Sequence, residues 1–153
     1  MPIRVAAVEV HHWHALNDAA YLRHLIAMPD VRLVAVQDAD EGLARSRAEA
    51  VGGPAIYTDY HAMLAAERPD FVVALGRHHQ MAAIAHDLLD AGVPFLMEKP
   101  LGINAREVES IAEKVARTNG YVTTLGYTVL DNKYEGLSAI VEQCGIGDSH
   151  CRT

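Results

Sequence analysis

The sequence predicts an α/β protein with a doubly wound parallel sheet in three α/β/α layers. Short β-branched runs alternate with longer helical patterns along the whole chain. Several runs, such as DFVVAL, are apolar on both faces, as strands are when helices cover both sides of a sheet. The β-α alternation continues to a sixth strand, and right-handed crossovers turn that order into an open parallel sheet.

The first strand is IRVAAV, Ile3 to Val8, and a helix is expected from Ala15 to Met28. VRLVAVQD, Val31 to Asp38, is the second strand, and a helix from Asp40 to Val51 follows it. AIYT, Ala55 to Thr58, is the third. Asp59 then caps a helix through Ala66 ahead of Pro69. DFVVAL, Asp70 to Leu75, leads into a helix from His79 to Ala91 that ends at Gly92, and PFLM, Pro94 to Met97, is the fifth strand. Asn104 with Glu107 makes a capping-box-like opening; Val108, Ile111, Ala112 and Val115 keep helical spacing, and Gly120 is the expected left-handed stop. YVTTLG, Tyr121 to Gly126, closes the set. Met63, Leu64, Leu88 and Leu89 are expected in the core, and Trp13 is expected to pack on the first helix turn. His61 and His86 read as surface or satisfied helix residues. Arg45, Arg47 and Glu49 read as a solvated face.

A chain of 153 residues that is 50% hydrophobic and 22% charged fits one core in a single domain. No apolar run is long enough to cross a bilayer and no basic start precedes an apolar stretch, so no membrane contact and a cytoplasmic location are expected. With Lys and Arg at 13 against Asp and Glu at 20, the net charge of -7 and the lack of a basic patch argue against nucleic acid. The two cysteines, Cys144 and Cys151, lack CxxC spacing and read as reduced bystander thiols.

Ligands on such sheets sit beyond the carboxyl ends of the strands, at the switch point beside strand one, so strands one and four flank the expected crevice. Asp38, at the end of strand two, is placed to accept hydrogen bonds from both hydroxyls of an adenosine ribose and to repel a 2′-phosphate, which favours NAD over NADP. Helix capping is the plainer role for such a residue, and Asp40 serves it equally well. Glu98-Lys99-Pro100, at the exit of strand five, puts an ammonium where substrate and nicotinamide meet, and the proline fixes the backbone and permits a cis bond.

VAAVEVHHWHAL, Val5 to Leu16, is unusual where a phosphate-binding turn belongs. Of the nine histidines, His11, His12, His14, His78 and His79 fall just past strands one and four; with Glu9 and Glu98 they are donors of a type that zinc accepts. Spacing alone does not bring them together, and no metal ligand is assigned. They read instead as contacts to cofactor or substrate, or as ordinary polar loop residues, with the Arg77 guanidinium near a phosphate. A carboxylate at Glu9 repels a diphosphate unless it turns aside.

Taken in order, these motifs resemble the Gfo/Idh/MocA oxidoreductases, NAD(P)-dependent dehydrogenases and reductases of sugars, polyols and related small molecules. The resemblance runs from Ile3 to about Asp148, through VAVQDAD, RPDFVVAL, DAGVPFLMEKP, LGY and GIGD. It implies a Rossmann-like domain over 1–126, and a connecting helix with the start of a second domain over 127–153. Lys99 is then the catalytic residue that orients or protonates the reacting hydroxyl or carbonyl. Val10, His11, His12, Asp38, Gly76, Arg77 and Glu98 are the implied cofactor contacts. A small-molecule substrate, homo-oligomers and a second sheet domain with a catalytic histidine are implied as well. The chain stops near where that second domain would begin and is expected to be the cofactor-binding half.

Departures from the family pattern concentrate at the phosphate turn. Its GxGxxG glycines correspond to Glu9, His11 and His14, although glycine is wanted there because the turn is tight and a Cβ blocks approach to the pyrophosphate. Gly76 and Arg77 stand where many relatives have Thr-Pro, Met81 where a histidine is common, and about Leu130 where an arginine follows the GY turn. Two functions follow: hydride transfer between a nicotinamide cofactor and a small hydroxy or carbonyl compound, or a noncatalytic Rossmann-like module that has lost its phosphate loop.

Overall fold

The computed structural model describes residues 1–124. Six strands, β1 (Ile3–Val8), β2 (Val31–Gln37), β3 (Ala55–Tyr57), β4 (Phe71–Ala74), β5 (Phe95–Met97) and β6 (Val122–Thr124), form one sheet in the order β3-β2-β1-β4-β5-β6. Every neighbouring pair is parallel, as the sequence predicts. The strand order reverses between β1 and β4, which makes that seam the switch point. Val8 pairs with Gln37 on one side and Ala74 on the other, and Ala74 pairs with Met97. The carboxyl ends of β1, β2, β4 and β5 therefore come level along one rim.

Alternation along β1 divides the core. Ala6 and Val8 face a cluster with Met63, Leu88, Phe95 and Ile111, while Val5 and Ala7 face one with Leu22, Val36, Ala48 and Val73. Helices α1 (Tyr21–Ala27) and α2 (Glu41–Glu49) cover the second face; α3 (Tyr60–Glu67), α4 (Met81–Asp90) and α5 (Ala105–Thr118) cover the first. The caps follow the sequence. Asp40 accepts from the Leu43 amide, Asp59 from those of His61 and Ala62, and Asn104 from that of Glu107.

Several local expectations need correction. The helix expected from Ala15 to Met28 is a short 3-10 turn at Trp13–Ala15, then an irregular stretch with Asp18 and Ala20 at φ 51° and 43°, then α1. Asn17 and Asp18 divert the chain: the Ala20 amide bonds the Asn17 carbonyl, and the Asp18 carboxylate accepts from the Trp13 indole. Trp13 is 62% exposed rather than packed. Residue His79 lies in a 3-10 turn, His78–Gln80, and α4 begins only at Met81. On α5, Ile111 is buried and Val115 packs on the core, but Val108 is 38% exposed and Ala112 is exposed.

The left-handed stop of α5 is Asn119, at φ 53°, and not Gly120. Glycine is needed at 120 for a different reason: a Cβ there would lie 2.5 Å from Leu89 Cδ2. Gly92 does end α4 in the left-handed region, at φ 67°. Among the core candidates Met63, Leu88 and Leu89 are buried, and Leu64 packs partly against them. His86 bonds Ser110 as a satisfied helix residue, and His61 is exposed near Asp87. No helix of the described residues is long and apolar enough to cross a membrane. Residues Leu130, Cys144 and Cys151 lie outside the described residues.

Candidate active site at the carboxyl rim

The turn that follows β1 keeps the backbone of a glycine turn without the glycines. Glu9 holds φ 58°, a left-handed conformation that glycine adopts most cheaply. Tertiary contacts hold it there. Its amide donates to Gln37 Oε1 at 3.2 Å, its carboxylate takes a 3.4 Å contact from Gln37 Nε2, and its side chain runs beside Gly76. The Glu9 carboxylate is nearly buried and turned aside into the protein.

Asp38 and His11 meet at the first of two clusters. Asp38, 4% exposed at the end of β2, accepts from the His11 amide at 2.8 Å and stands 3.0 Å from His11 Nδ1 on the same oxygen. Its other oxygen accepts from the Asp40 amide at 3.1 Å. Glu9 Oε2 lies 3.5 Å from the same ring nitrogen, so one imidazole sits between two carboxylates.

Glu98, at the end of β5, anchors the second cluster. Its side chain is wholly buried; Oε1 pairs with His14 Nδ1, and Oε2 accepts from the Lys99 amide at 2.8 Å and the Tyr21 hydroxyl at 3.5 Å. Burial alone pushes this carboxyl up, but the bonds from His14 and the Lys99 amide, with the charges of both residues, outweigh it and hold the group below its ordinary range. Burial and the adjacent Glu98 together push the Tyr21 hydroxyl up, so it stays a proton donor. His12 stacks edge-on against His14, its Nδ1 accepting from the His14 amide. Burial lowers its proton affinity; Glu98 opposes that, and the charges of His14, Lys99 and His11 reinforce it.

The rim thus brings Glu9, His11 and Asp38 together, and His12, His14, Glu98 and the exposed Lys99 beside them, with the Lys99-Pro100 peptide cis. Arg77, His78 and His79 are exposed past β4 and join neither cluster; the Arg77 amide is taken by Gln80 Oε1. Gly76 is buried, and a Cβ there would lie 2.7 Å from Ile84 Cδ1. Val10 packs into the core, its amide bonded to the Gln37 carbonyl. Sequence reasoning missed Gln37, Tyr21 and Arg47. Far from lying on a solvated face, Arg47 reaches back so that its Nε donates to the Val10 carbonyl at 3.2 Å. An Arg at that helical position carries no motif, and only the fold brings it to the turn.

Residues at the two ends of the rim fit a dinucleotide better than those at its centre. Asp38 places a carboxylate where a ribose edge would lie, with Oδ2 on the His11 amide and ring and Oδ1 accepting the Asp40 amide, and Lys99 lies level with it across the sheet. Between them, the Val10 and His11 amides already have protein acceptors, so a diphosphate would rest on imidazole or guanidinium donors. A pocket of about 460 Å³ lined by Arg4, Arg32, Gly52 and Gly53 opens at the opposite, amino end of the strands, where no ligand of such a sheet is expected.

Comparison with known proteins agrees with this geometry. The family model for the oxidoreductase family with an NAD-binding Rossmann fold matches residues 7–127. Inositol 2-dehydrogenase 1 of Saccharopolyspora erythraea is 30% identical over 125 residues, covering 78% of this chain and 37% of that protein. D-glucoside 3-dehydrogenase of Escherichia coli K12 is 29% identical over 126 residues, covering 78% and 34%. The crystal structure of myo-inositol 2-dehydrogenase from Lactobacillus plantarum superimposes with a TM-score of 0.76 at 23% identity, covering 96% of this chain and 43% of that one. The chain therefore spans about a third of the length of the curated relatives it matches. With the matched region running from β1 through β6, the chain belongs to the Gfo/Idh/MocA oxidoreductase family, whose NAD-binding Rossmann fold it carries.

Proposed function

We propose that this chain is the cofactor-binding part of a dehydrogenase that acts on a hydroxyl of a sugar, polyol or similar small molecule in the cytoplasm. One observation carries the reading. Three strand ends that are distant in sequence deliver Asp38, the histidine turn and Glu98-Lys99 to a single rim. Asp38 takes the ribose hydroxyls and disfavours a 2′-phosphate, so NAD is preferred over NADP. His11, His12, Arg77 and the backbone at Val10 and Gly76 border the diphosphate, and Glu98 borders the nicotinamide. The bound nicotinamide supplies a hydride acceptor.

Lys99 carries the chemistry of the chain itself. Its neutral amine accepts the proton that leaves the hydroxyl, the ammonium so formed offsets the charge developing on that oxygen, and Glu98, bonded to the Lys99 amide, sets its backbone. Residues 1–126 form the cofactor domain, and 127–153 lead toward a second domain that completes the substrate pocket. Exposed Ile103, Val108 and Tyr121 offer apolar surface for that domain or for a second copy in a homo-oligomer.

A noncatalytic reading has one observation in its favour: His11 already occupies the Asp38 oxygen that a ribose would use. NADH fluorescence on titration with this chain separates the two. Binding that weakens in Asp38→Ala supports the dehydrogenase, and silence at millimolar cofactor supports a binding module. In a version with the second domain, Lys99→Ala is expected to lower turnover far more than cofactor affinity. Unchanged turnover would remove Lys99 from the reaction.

A further inference from the structure

His12, His14 and Glu98 present two imidazoles and one carboxylate whose ligating atoms all lie within 4.8 Å of one another. We propose that they form a binding site for a divalent metal ion of the zinc class, with the fourth position open to solvent. Two nitrogens and one oxygen, without sulfur, suit zinc and its neighbours; calcium and magnesium prefer all-oxygen shells, and the softest ions prefer thiolates. Three protein ligands and a free position are the pattern of a site that binds a further molecule.

The surroundings are organised to present these donors. Glu98 is wholly buried, and its Oε2 is held by the Lys99 amide at 2.8 Å and faced by the Tyr21 hydroxyl at 3.5 Å, which leaves Oε1 directed at His14. Outer bonds of this kind orient a ligating carboxylate. The His14 side chain is 23% exposed, so the site has an open side. His12 and His14 are centred 4.8 Å apart and edge-on, and neither ring blocks the other. His12 must give up the bond it accepts from the His14 amide when it turns a lone pair to the ion. Lys99 is exposed and can swing its ammonium away from the added charge.

The neighbouring group of Glu9, His11 and Asp38 meets the same distance condition, yet the Asp38 oxygen that faces His11 already holds both the His11 amide and its ring, so an ion there would displace the bonds that shape the turn. The His12 cluster has only one carboxylate, and its Oε1 is shared with a single imidazole. The ion site stands independently of the cofactor reading, because it is tested without nucleotide.

The 153-residue chain, treated with a chelator, is titrated with Zn²⁺ by calorimetry and with Co²⁺ by visible absorption. The expected result is saturable binding of one ion, with the intense ligand-field bands of a Co²⁺ site having fewer than six ligands. His14→Ala and Glu98→Gln are each expected to weaken binding by at least about tenfold. A His78→Ala/His79→Ala double variant is expected to bind as the parent does. Glu98→Gln alters a wholly buried group, whereas His14 lies on a partly exposed turn and its variant reports independently of any loss of fold in the first. No saturable binding at micromolar ion, unweakened binding by a folded His14→Ala, or loss of binding in the double variant would each overturn the proposal.

Discussion

Replacing Asp38 with alanine removes the acceptor of three donors at once: the His11 amide at 2.8 Å, the His11 ring at 3.0 Å and the Asp40 amide at 3.1 Å. A hydrogen bond to a charged acceptor contributes about 1.5–3 kcal/mol, but the partly exposed His11 ring and the surface Asp40 amide regain water, so their bonds count for little. The His11 amide bond is the shortest of the three and carries most of the loss. Removing one of two carboxylates that face the same imidazole relieves repulsion against Glu9 and offsets part of the loss. The expected net destabilisation is about 1–2 kcal/mol, which at a urea slope of roughly 1–3 kcal/mol per M lowers the midpoint by about 0.3–2 M.

Urea unfolding followed by circular dichroism measures this, with NADH titration of the same samples in parallel. Loss of a charge-assisted ribose contact is expected to weaken NADH binding by about tenfold or more, since that corresponds to about 1.4 kcal/mol. Asp38→Asn separates charge from geometry. It keeps an oxygen for the His11 amide, so it is expected to recover at least half of the stability while discriminating less against NADP. An Asp38→Ala protein with an unmoved midpoint would refute the hydrogen-bond account, and one with unmoved NADH affinity would refute the ribose assignment.

Other substitutions probe the rest of the molecule. Phe95→Ala empties a wholly buried site in the larger core cluster and is expected to cost about 3–5 kcal/mol in urea unfolding; a loss below about 1 kcal/mol would mean that the core is not packed as described. Gly120→Ala forces a Cβ against Leu89, which is itself buried, and is expected to cost about 1–3 kcal/mol, whereas a neutral outcome would show that Leu89 can move aside. Acid is expected to destabilise the chain in two windows. His12 binds its proton more weakly when folded, so the unfolded chain takes up protons first and stability falls as pH drops below 6.5. Glu98 has a depressed folded value, so its contribution is present above the ordinary value of 4.5 and is lost as pH falls through the folded one. Unfolding midpoints measured against pH check both, and a His12→Gln variant with an unchanged slope below pH 6.5 would dismiss the first.

Much of the molecule was legible because it rests on local rules. The apolar runs at Ile3 to Val8 and Phe71 to Ala74 announce buried parallel strands, and Asp40, Asp59 and Asn104 announce helix starts through their own side-chain chemistry. Order alone then placed Asp38 and Glu98-Lys99 at strand exits. The region after β1 was misread for an equally physical reason. Its apolar spacing resembles a helix, but Asn17 and Asp18 offer the backbone competing bonds, and the chain takes a 3-10 turn and two left-handed residues instead.

The sequence by itself determined the parallel sheet, its helix caps and the rim on which chemistry gathers, because periodicity and capping depend on residues within a few positions of one another. Only the tertiary structure decided how the histidines divide, with His11 going to Asp38 and His12 and His14 to Glu98, while His78 and His79 stay outside both groups. It alone also brought Gln37 and Arg47 to the turn and Tyr21 to Glu98. The physical reason is reach. His14 and Glu98 are 84 residues apart in the chain, and only the pairing of β1 with β4 and of β4 with β5 closes that distance to a hydrogen bond.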